Sequence, residues 1–121
     1  MTSFTDLGVP AALTAALTAQ GITAPFPIQT ATLPDSLAGR DVLGRGRTGS
    51  GKTYAFLLPI VARLVDGRPA RSKAPRALIL APTRELVGQI EAALTPLAAD
   101  AGLTTRTIFG GMPRDSISSS A

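Results

Sequence analysis

Gly46-Arg47-Thr48-Gly49-Ser50-Gly51-Lys52-Thr53 is the stretch on which the reading of this chain turns. It fits G-x-x-x-x-G-K-[ST], the spelling of a loop that cradles phosphates. Chemistry explains the spelling. Glycines let the backbone curl until successive N–H groups face inward on an anion. A helix starting at the end of the loop adds the positive end of its dipole. Lys52 supplies a mobile positive charge for the β- and γ-phosphates of a nucleoside triphosphate, and Thr53 a hydroxyl for Mg²⁺. Asp41-Val42-Leu43 before the loop suits a short strand, and Tyr54-Ala55-Phe56-Leu57-Leu58 after it suits an apolar helix start. That flanking order separates a phosphate loop from a chance glycine-rich turn.

Composition narrows the class. At 121 residues the chain holds one domain or part of one. Its 45% hydrophobic residues suffice for a core, and with only 4% aromatic residues that core is built from Ala, Leu, Ile and Val. The absence of cysteine excludes disulfides, thiolate metal sites and thiol nucleophiles. The absence of histidine removes the commonest general base and zinc ligand. Together these point to an intracellular protein that uses Mg²⁺ if it uses a metal. The 12 Lys and Arg against 8 Asp and Glu leave a charge of +4, compatible with a polyanionic partner. The longest apolar run, Tyr54 to Ala62, contains Pro59 and is far too short to span a bilayer. No charged start followed by an apolar core marks a signal peptide. The composition predicts a soluble, cytoplasmic protein with no membrane association.

Outward from the loop, the chain reads as alternating elements. Met1 to Gly8 is expected to be an extended lead-in. Pro10 to Gln20 is expected to be a helix, with Pro10 in its first turn, Gly21 just past its end, and Leu13, Ala16 and Leu17 as its apolar face. Pro25, Pro27 and Pro34 break the next stretch into a loop, a short helix near Ile28 to Thr32, and a further helical turn ending at Gly39. Strands are expected at Asp41 to Gly44, Arg76 to Ala81 and Thr104 to Phe109. Helices are expected from Lys52 to Val65, kinked at Pro59, and from Arg84 to about Ala99, capped by Thr83 and bent at Pro96. Asp66 to Pro75 reads as a surface loop whose Arg68, Arg71 and Lys73, with Arg76, form a solvated basic cluster. Arg114 to Ala121 reads as a disordered tail. Strands alternating with helices predict an α/β fold with a parallel sheet and flanking helices.

Three further segments carry a resemblance. Gly21-Ile22-Thr23-Ala24-Pro25-Phe26-Pro27-Ile28-Gln29 resembles the Q motif of DEAD-box RNA helicases. Phe4 lies where that family places an isolated aromatic, seventeen residues before Gly21. Pro82-Thr83-Arg84-Glu85-Leu86 is similar to the family's motif Ia, and Gly110-Gly111 resembles its GG doublet. All stand in the family's order around Thr48 to Thr53, so the resemblance runs from Phe4 to about Met112. It implies an incomplete RecA-like domain of the P-loop NTPase type. Residues 1–39 form a Q-motif region, 40–113 a partial ATP-binding domain, and 114–121 the tail.

The resemblance assigns roles that the residues can perform. Gln29 carries an amide with a donor and an acceptor, able to pair with the N6 amine and N7 of adenine. Phe4 can stack on the adenine face. Without the resemblance, Gln29 reads as a solvated helix residue and Phe4 as a core aromatic. Arg47, Thr48, Gly49, Ser50, Gly51, Lys52 and Thr53 complete the expected ATP site, with Lys52 and Thr53 catalytic and Thr53 holding Mg²⁺ through its hydroxyl. Pro82, Thr83, Arg84, Glu85, Gly110 and Gly111 are the expected RNA contacts. Arg84 either pairs with an RNA phosphate or forms an ion pair with Glu85 or Asp100.

Departures bound the function. Gly46-Arg47 stands where the family commonly has Ala-Gln, which leaves the loop intact and adds charge, and Val87 replaces a usual Ala. There is no Asp-Glu dipeptide and no Ser-Ala-Thr segment. Glu85 and Glu91 are the only glutamates, and neither falls at the position of a Walker-B acid. The second RecA-like domain, with its arginine fingers, is expected to be missing. Three readings stand at this point: the N-terminal ATP-binding part of a DEAD-box RNA helicase, a non-catalytic nucleotide-binding remnant, or an unrelated P-loop NTPase. RNA binding by the fragment alone is expected to be weak.

Overall fold

The computed structural model describes residues 2–46, 51–65 and 76–108. Its regular elements are helices α1 (Ala11–Ala19), α2 (Pro27–Leu37), α3 (Lys52–Val65) and α4 (Arg84–Asp100). Helix α3 packs against α2 and α4, and α4 packs in turn against α1. The order in space is therefore α2, α3, α4, α1.

Local chemistry accounts for each helix. Pro10 caps α1, which buries Leu13, Ala16 and Leu17, three positions on one helical face. Gly21 follows with φ +82°, a conformation that favours glycine. Helix α3 starts at Lys52 and buries Leu57, Leu58, Pro59 and Val61. Helix α4 is capped by Thr83, whose hydroxyl oxygen accepts a hydrogen bond from the Leu86 N–H at 3.1 Å. Glu85 in its first turn complements the helix dipole.

Helix α2 departs from expectation. It runs unbroken through Pro34 instead of splitting near Thr32. A proline inside a helix leaves the carbonyl four residues earlier without its N–H partner. Here that residue, Thr30, is exposed, so water can serve its carbonyl. Side chains bridge neighbouring turns: the Thr32 hydroxyl donates to the Ile28 carbonyl at 2.8 Å and the Ser36 hydroxyl to the Thr32 carbonyl at 3.0 Å.

The lead-in also departs. It folds into turns, with Leu7 N–H and Val9 N–H both donating to the Phe4 carbonyl at 3.1 Å. Gly8 takes φ +98° within this turn. Burial of Phe4, Leu7 and Val9 drives the coiling, because an extended segment could not bring all three to the core. The core joins them to Leu13, Leu17, Leu33, Leu57, Leu58, Val61, Ile90 and Leu97. Residues on both sides of position 40 share this one core.

The expected sheet is not formed among the described residues. Asp41 to Gly44, Ala77 to Ala81 and Thr104 to Ile108 run as irregular chain. Several of their apolar side chains stand in solvent: Leu43 is 94% exposed, Leu78 78% and Leu80 83%, while Ile79 and Ala81 pack against the core. A strand is stable only when its backbone groups pair with a neighbour and its faces are covered. Among the described residues no such pairing is formed, and the face carrying Leu78 and Leu80 is uncovered. The expected loop 66–75 and tail 114–121 lie outside the described residues, as does Phe109 of the third expected strand.

Two substitutions separate core from exposed edge. Leu97→Ala is expected to destabilise the fold by about 2–5 kcal/mol, because Leu97 is fully buried between packed helices. Leu80→Ser is expected to change stability by less than about 0.5 kcal/mol while raising solubility. Denaturant melts and the saturating concentration of each variant check both.

Candidate functional site

The amide of Gln29 ties the head of α2 to the start of α3. Its Oε1 accepts from the Phe26 backbone N–H at 2.9 Å, and its Nε2 donates to the Gly51 carbonyl at 2.8 Å. The first bond is half of a capping box, with Gln29 at the third helical position. The reciprocal half is missing because the Phe26 side chain has no acceptor. The second bond crosses twenty-two residues of sequence. Gln29 is 1% exposed, so both bonds are shielded from water.

Gly51 answers this contact with a conformation and a shape that exclude a side chain. Its φ is +85°, and a Cβ added there would lie 2.4 Å from Phe26 Cδ2 and 2.6 Å from Gln29 Nε2. The Phe26 ring and the Gln29 amide thus close on the glycine from the α2 side. The Gly51 carbonyl accepts a second bond, from the Ala55 N–H at 3.3 Å, which begins the ladder of α3. Its two lone pairs are both engaged.

That arrangement positions the charged end of α3. Lys52 is exposed and Thr53 half-buried in the first turn. The first N–H groups of a helix have no intrahelical acceptor, and they add to the positive end of the dipole. The start of α3 therefore offers an anion backbone donors, an ammonium group and a hydroxyl on consecutive residues. Tyr54, next along, donates its hydroxyl to Gln20 Oε1 at 3.2 Å, and burial raises the phenol above its ordinary pKa. It stays a neutral donor linking α3 to the end of α1. Arg47, Thr48, Gly49 and Ser50 lie outside the described residues.

Other expected site residues fall elsewhere. Phe4 is 2% exposed and belongs to the core, so in this arrangement its ring offers no face to a base. Phe4 shares this buried cluster with Leu7 and Val9 of the same turn. Pro82, Thr83, Arg84 and Glu85 are all exposed at the amino end of α4. Glu91 is engaged by the Thr107 hydroxyl, which donates to its Oε2 and holds the segment after α4 against the helix. Gly110 and Gly111 lie outside the described residues.

A family model described as DEAD/DEAH box helicase matches residues 26–120. The chain belongs to that family. It is 40% identical over 114 residues to the pre-mRNA-processing ATP-dependent RNA helicase PRP5 of Mycosarcoma maydis, covering 93% of this chain and 10% of the relative. It is 45% identical over 112 residues to the ATP-dependent RNA helicase SrmB of Escherichia coli K12, covering 93% and 25%. Among solved structures it resembles the RNA helicase Prp28 of Chaetomium thermophilum bound to ADP. The TM-score is 0.86 at 40% identity, covering 97% of this chain and 29% of that one. The chain thus spans a tenth to under a third of these DEAD-box proteins. Their likeness gives it an α/β fold of the RecA-like kind.

One contact of this DEAD-box chain escaped the sequence reading. Phe26 stood in the quoted motif with no role, yet its ring lies against Gly51 and is 52% exposed. The signal was present: an aromatic between Pro25 and Pro27 is held rigid at a loop–helix junction.

Gly51→Ala and Gly21→Ala form a matched pair of tests. Both glycines have positive φ, but a Cβ at Gly21 meets nothing within 4 Å. Gly21→Ala is expected to cost about 1 kcal/mol and Gly51→Ala about 2–4 kcal/mol, the excess reporting displacement of Phe26 and Gln29. Urea melts of the two variants measure the difference.

Proposed function

We propose that this chain is the ATP-binding part of a DEAD-box RNA helicase, with ATP-dependent RNA unwinding the activity of the full-length protein. The observation that carries the proposal is the 2.8 Å bond from Gln29 to Gly51. It sets the segment that resembles a base-reading motif directly beside the segment spelled for phosphate. The ADP bound to Prp28 supports a nucleotide in the corresponding domain.

In this reading the backbone from Arg47 to Gly51 cradles the phosphates, with the Arg47 charge beside them. Lys52 neutralises the β- and γ-phosphates. Beyond its bonds to Gly51 and Phe26 the Gln29 amide has one further hydrogen and one further lone pair, which match adenine N7 and N6; at 1% exposure the side chain reaches a base only if the groups covering it move aside on binding. Among the described residues no group of three or more His, Cys, Asp or Glu is placed to hold a metal. The Thr53 hydroxyl fits Mg²⁺ as a single protein ligand, the remainder being phosphate and water oxygens. Bound Mg²⁺ would supply charge neutralisation at the phosphates.

Pro82, Thr83, Arg84 and Glu85, with Gly110 and Gly111, contact the RNA backbone in this proposal. That binding is sequence-independent and salt-sensitive. The segments 41–44, 76–81 and 104–109 are the parallel strands of the RecA-like sheet, which pair once neighbouring strands of that fold lie beside them. A cytoplasmic site of action is part of this proposal; among the described residues no helix is long and apolar enough to cross a membrane.

Turnover by these 121 residues alone is expected to be slight. Hydrolysis needs a residue to orient the attacking water and positive charge for the transition state. No Asp-Glu dipeptide supplies the first, and an arginine finger comes from another domain. Titration calorimetry with ATP and GTP tests the binding. ATP should bind more tightly, Lys52→Ala should weaken both by roughly tenfold or more, and Gln29→Ala should weaken ATP more than GTP. Equal affinity for the two nucleotides would remove the adenine-reading role. An ATPase assay with single-stranded RNA should stay near background. Robust RNA-stimulated turnover lost in Lys52→Ala would show that the chain carries a catalytic group this reading omits.

A further inference from the structure

We propose that Tyr54 is a positioning residue for the phosphates: its hydroxyl bond to Gln20 holds the first turn of α3, which carries Lys52 and Thr53, in the orientation that binds them. The inference rests on the nucleotide-site reading and adds a second tether to it, on the α1 side.

The geometry makes Gln20 an oriented acceptor. Its Nε2 donates to the Ala16 carbonyl, in the last turn of α1, at 3.4 Å. A carbonyl only accepts, so the amide nitrogen belongs on that side and Oε1 faces Tyr54. The Tyr54 hydroxyl donates to this oxygen at 3.2 Å. The two residues stand thirty-four positions apart, so the bond joins α3 to the end of α1 across the fold. Both partners are anchored. The Tyr54 ring is half-buried and packs against the core. The Gln20 backbone N–H donates to the Leu17 carbonyl at 3.0 Å.

The start of α3 is therefore held from two elements. Gln29 of α2 grips Gly51 just before the helix, and Gln20 at the end of α1 grips Tyr54 three residues later. Lys52 and Thr53 lie between the two grips. A single grip leaves the turn free to swivel about it, and a second from another element removes that freedom. Donors on consecutive residues converge on one anion only while the turn keeps its orientation. Tyr54 acts on the turn and not on the base, so its contribution is the same whatever base the ligand carries. The bond is exposed and competes with water, so its loss costs the fold little. For the same reason it opens part of the time, and a ligand that needs it closed raises its population.

The experiment uses the full 121-residue chain and three ligands: ATP, GTP and inorganic tripolyphosphate. The variants are Tyr54→Phe, Gln20→Ala and the two combined, and a thermal melt confirms folding of each. Tyr54→Phe keeps the ring in the core and removes only the donor. It should weaken all three ligands by the same factor, roughly two- to tenfold, with the melting midpoint nearly unchanged. Gln20→Ala should give the same loss and the combined variant no further loss, because both substitutions remove one bond. Tyr54 is the chain's single tyrosine and there is no tryptophan, so intrinsic emission reports this phenol. Tripolyphosphate, which has no chromophore, should change that emission along its binding curve, and the change should vanish in Gln20→Ala. Unchanged affinities in Tyr54→Phe, with Lys52→Ala still weakening all three ligands, would overturn the positioning role and leave the nucleotide site standing. Losses that multiply in the combined variant, a loss confined to the nucleotides, or emission that stays silent on binding would also overturn it. If the unmutated chain binds none of the three, the nucleotide-site reading fails and the positioning role falls with it.

Discussion

The hydrogen bond from the Gln29 amide to the Gly51 carbonyl is the constraint on which the candidate site depends. Helices α2 and α3 are joined through the phosphate-loop sequence, and the geometry of that join determines where the α3 dipole points. A buried amide fixes it at low entropic cost, because Gln29 is already held at the third position of α2. Leaving such a buried polar group unpaired would cost about 1–3 kcal/mol, so the contact is strongly specified. Gly51 completes the fit, since any side chain there would strike Phe26 and Gln29. One glycine and one glutamine thus bring the end of the phosphate loop and the segment resembling a base reader into register.

The rest of the molecule divides into a helical core and an uncovered remainder. Leu17, Leu33, Leu57, Leu58 and Leu97 are fully buried and join all four helices. Leu43, Leu78 and Leu80 lie in segments spelled as strands and are exposed instead. The contrast reflects how the two elements satisfy their backbones. A helix pairs its own N–H and C=O groups internally, while a strand needs a neighbour for each row of them. Helices of a RecA-like fold can therefore take shape while sheet segments remain irregular. Exposed aliphatic side chains on unpaired segments also mark a self-association hazard.

Features encoded by neighbouring residues were readable from the sequence. Pro10 and Gly21 bracket α1, Thr83 caps α4, and Lys52 opens α3 directly after the glycines. Each depends on chemistry within one helical turn. The errors arose where distant packing decided. Pro34 read as a break, but α2 continues because its missing bond falls on an exposed carbonyl and α3 supports the helix. The lead-in read as extended, but the core draws in Phe4, Leu7 and Val9. Within the site, Lys52 and Thr53 were readable from the loop spelling. The internal use of the Gln29 amide was not, because nothing in the local sequence specifies a bond spanning twenty-two residues. Phe26 was overlooked for the same reason: its significance lies in Gly51, not in its neighbours.

The central claim is that the head of α2 and the start of α3 form one site for one ligand. Amide chemical shifts recorded by NMR during an ATP titration test it most directly. The account predicts that Phe26, Ile28 and Gln29 shift together with Gly51, Lys52 and Thr53 along a single binding curve. Shifts confined to α3 with α2 silent, or perturbations centred on the amino end of α4, would contradict it.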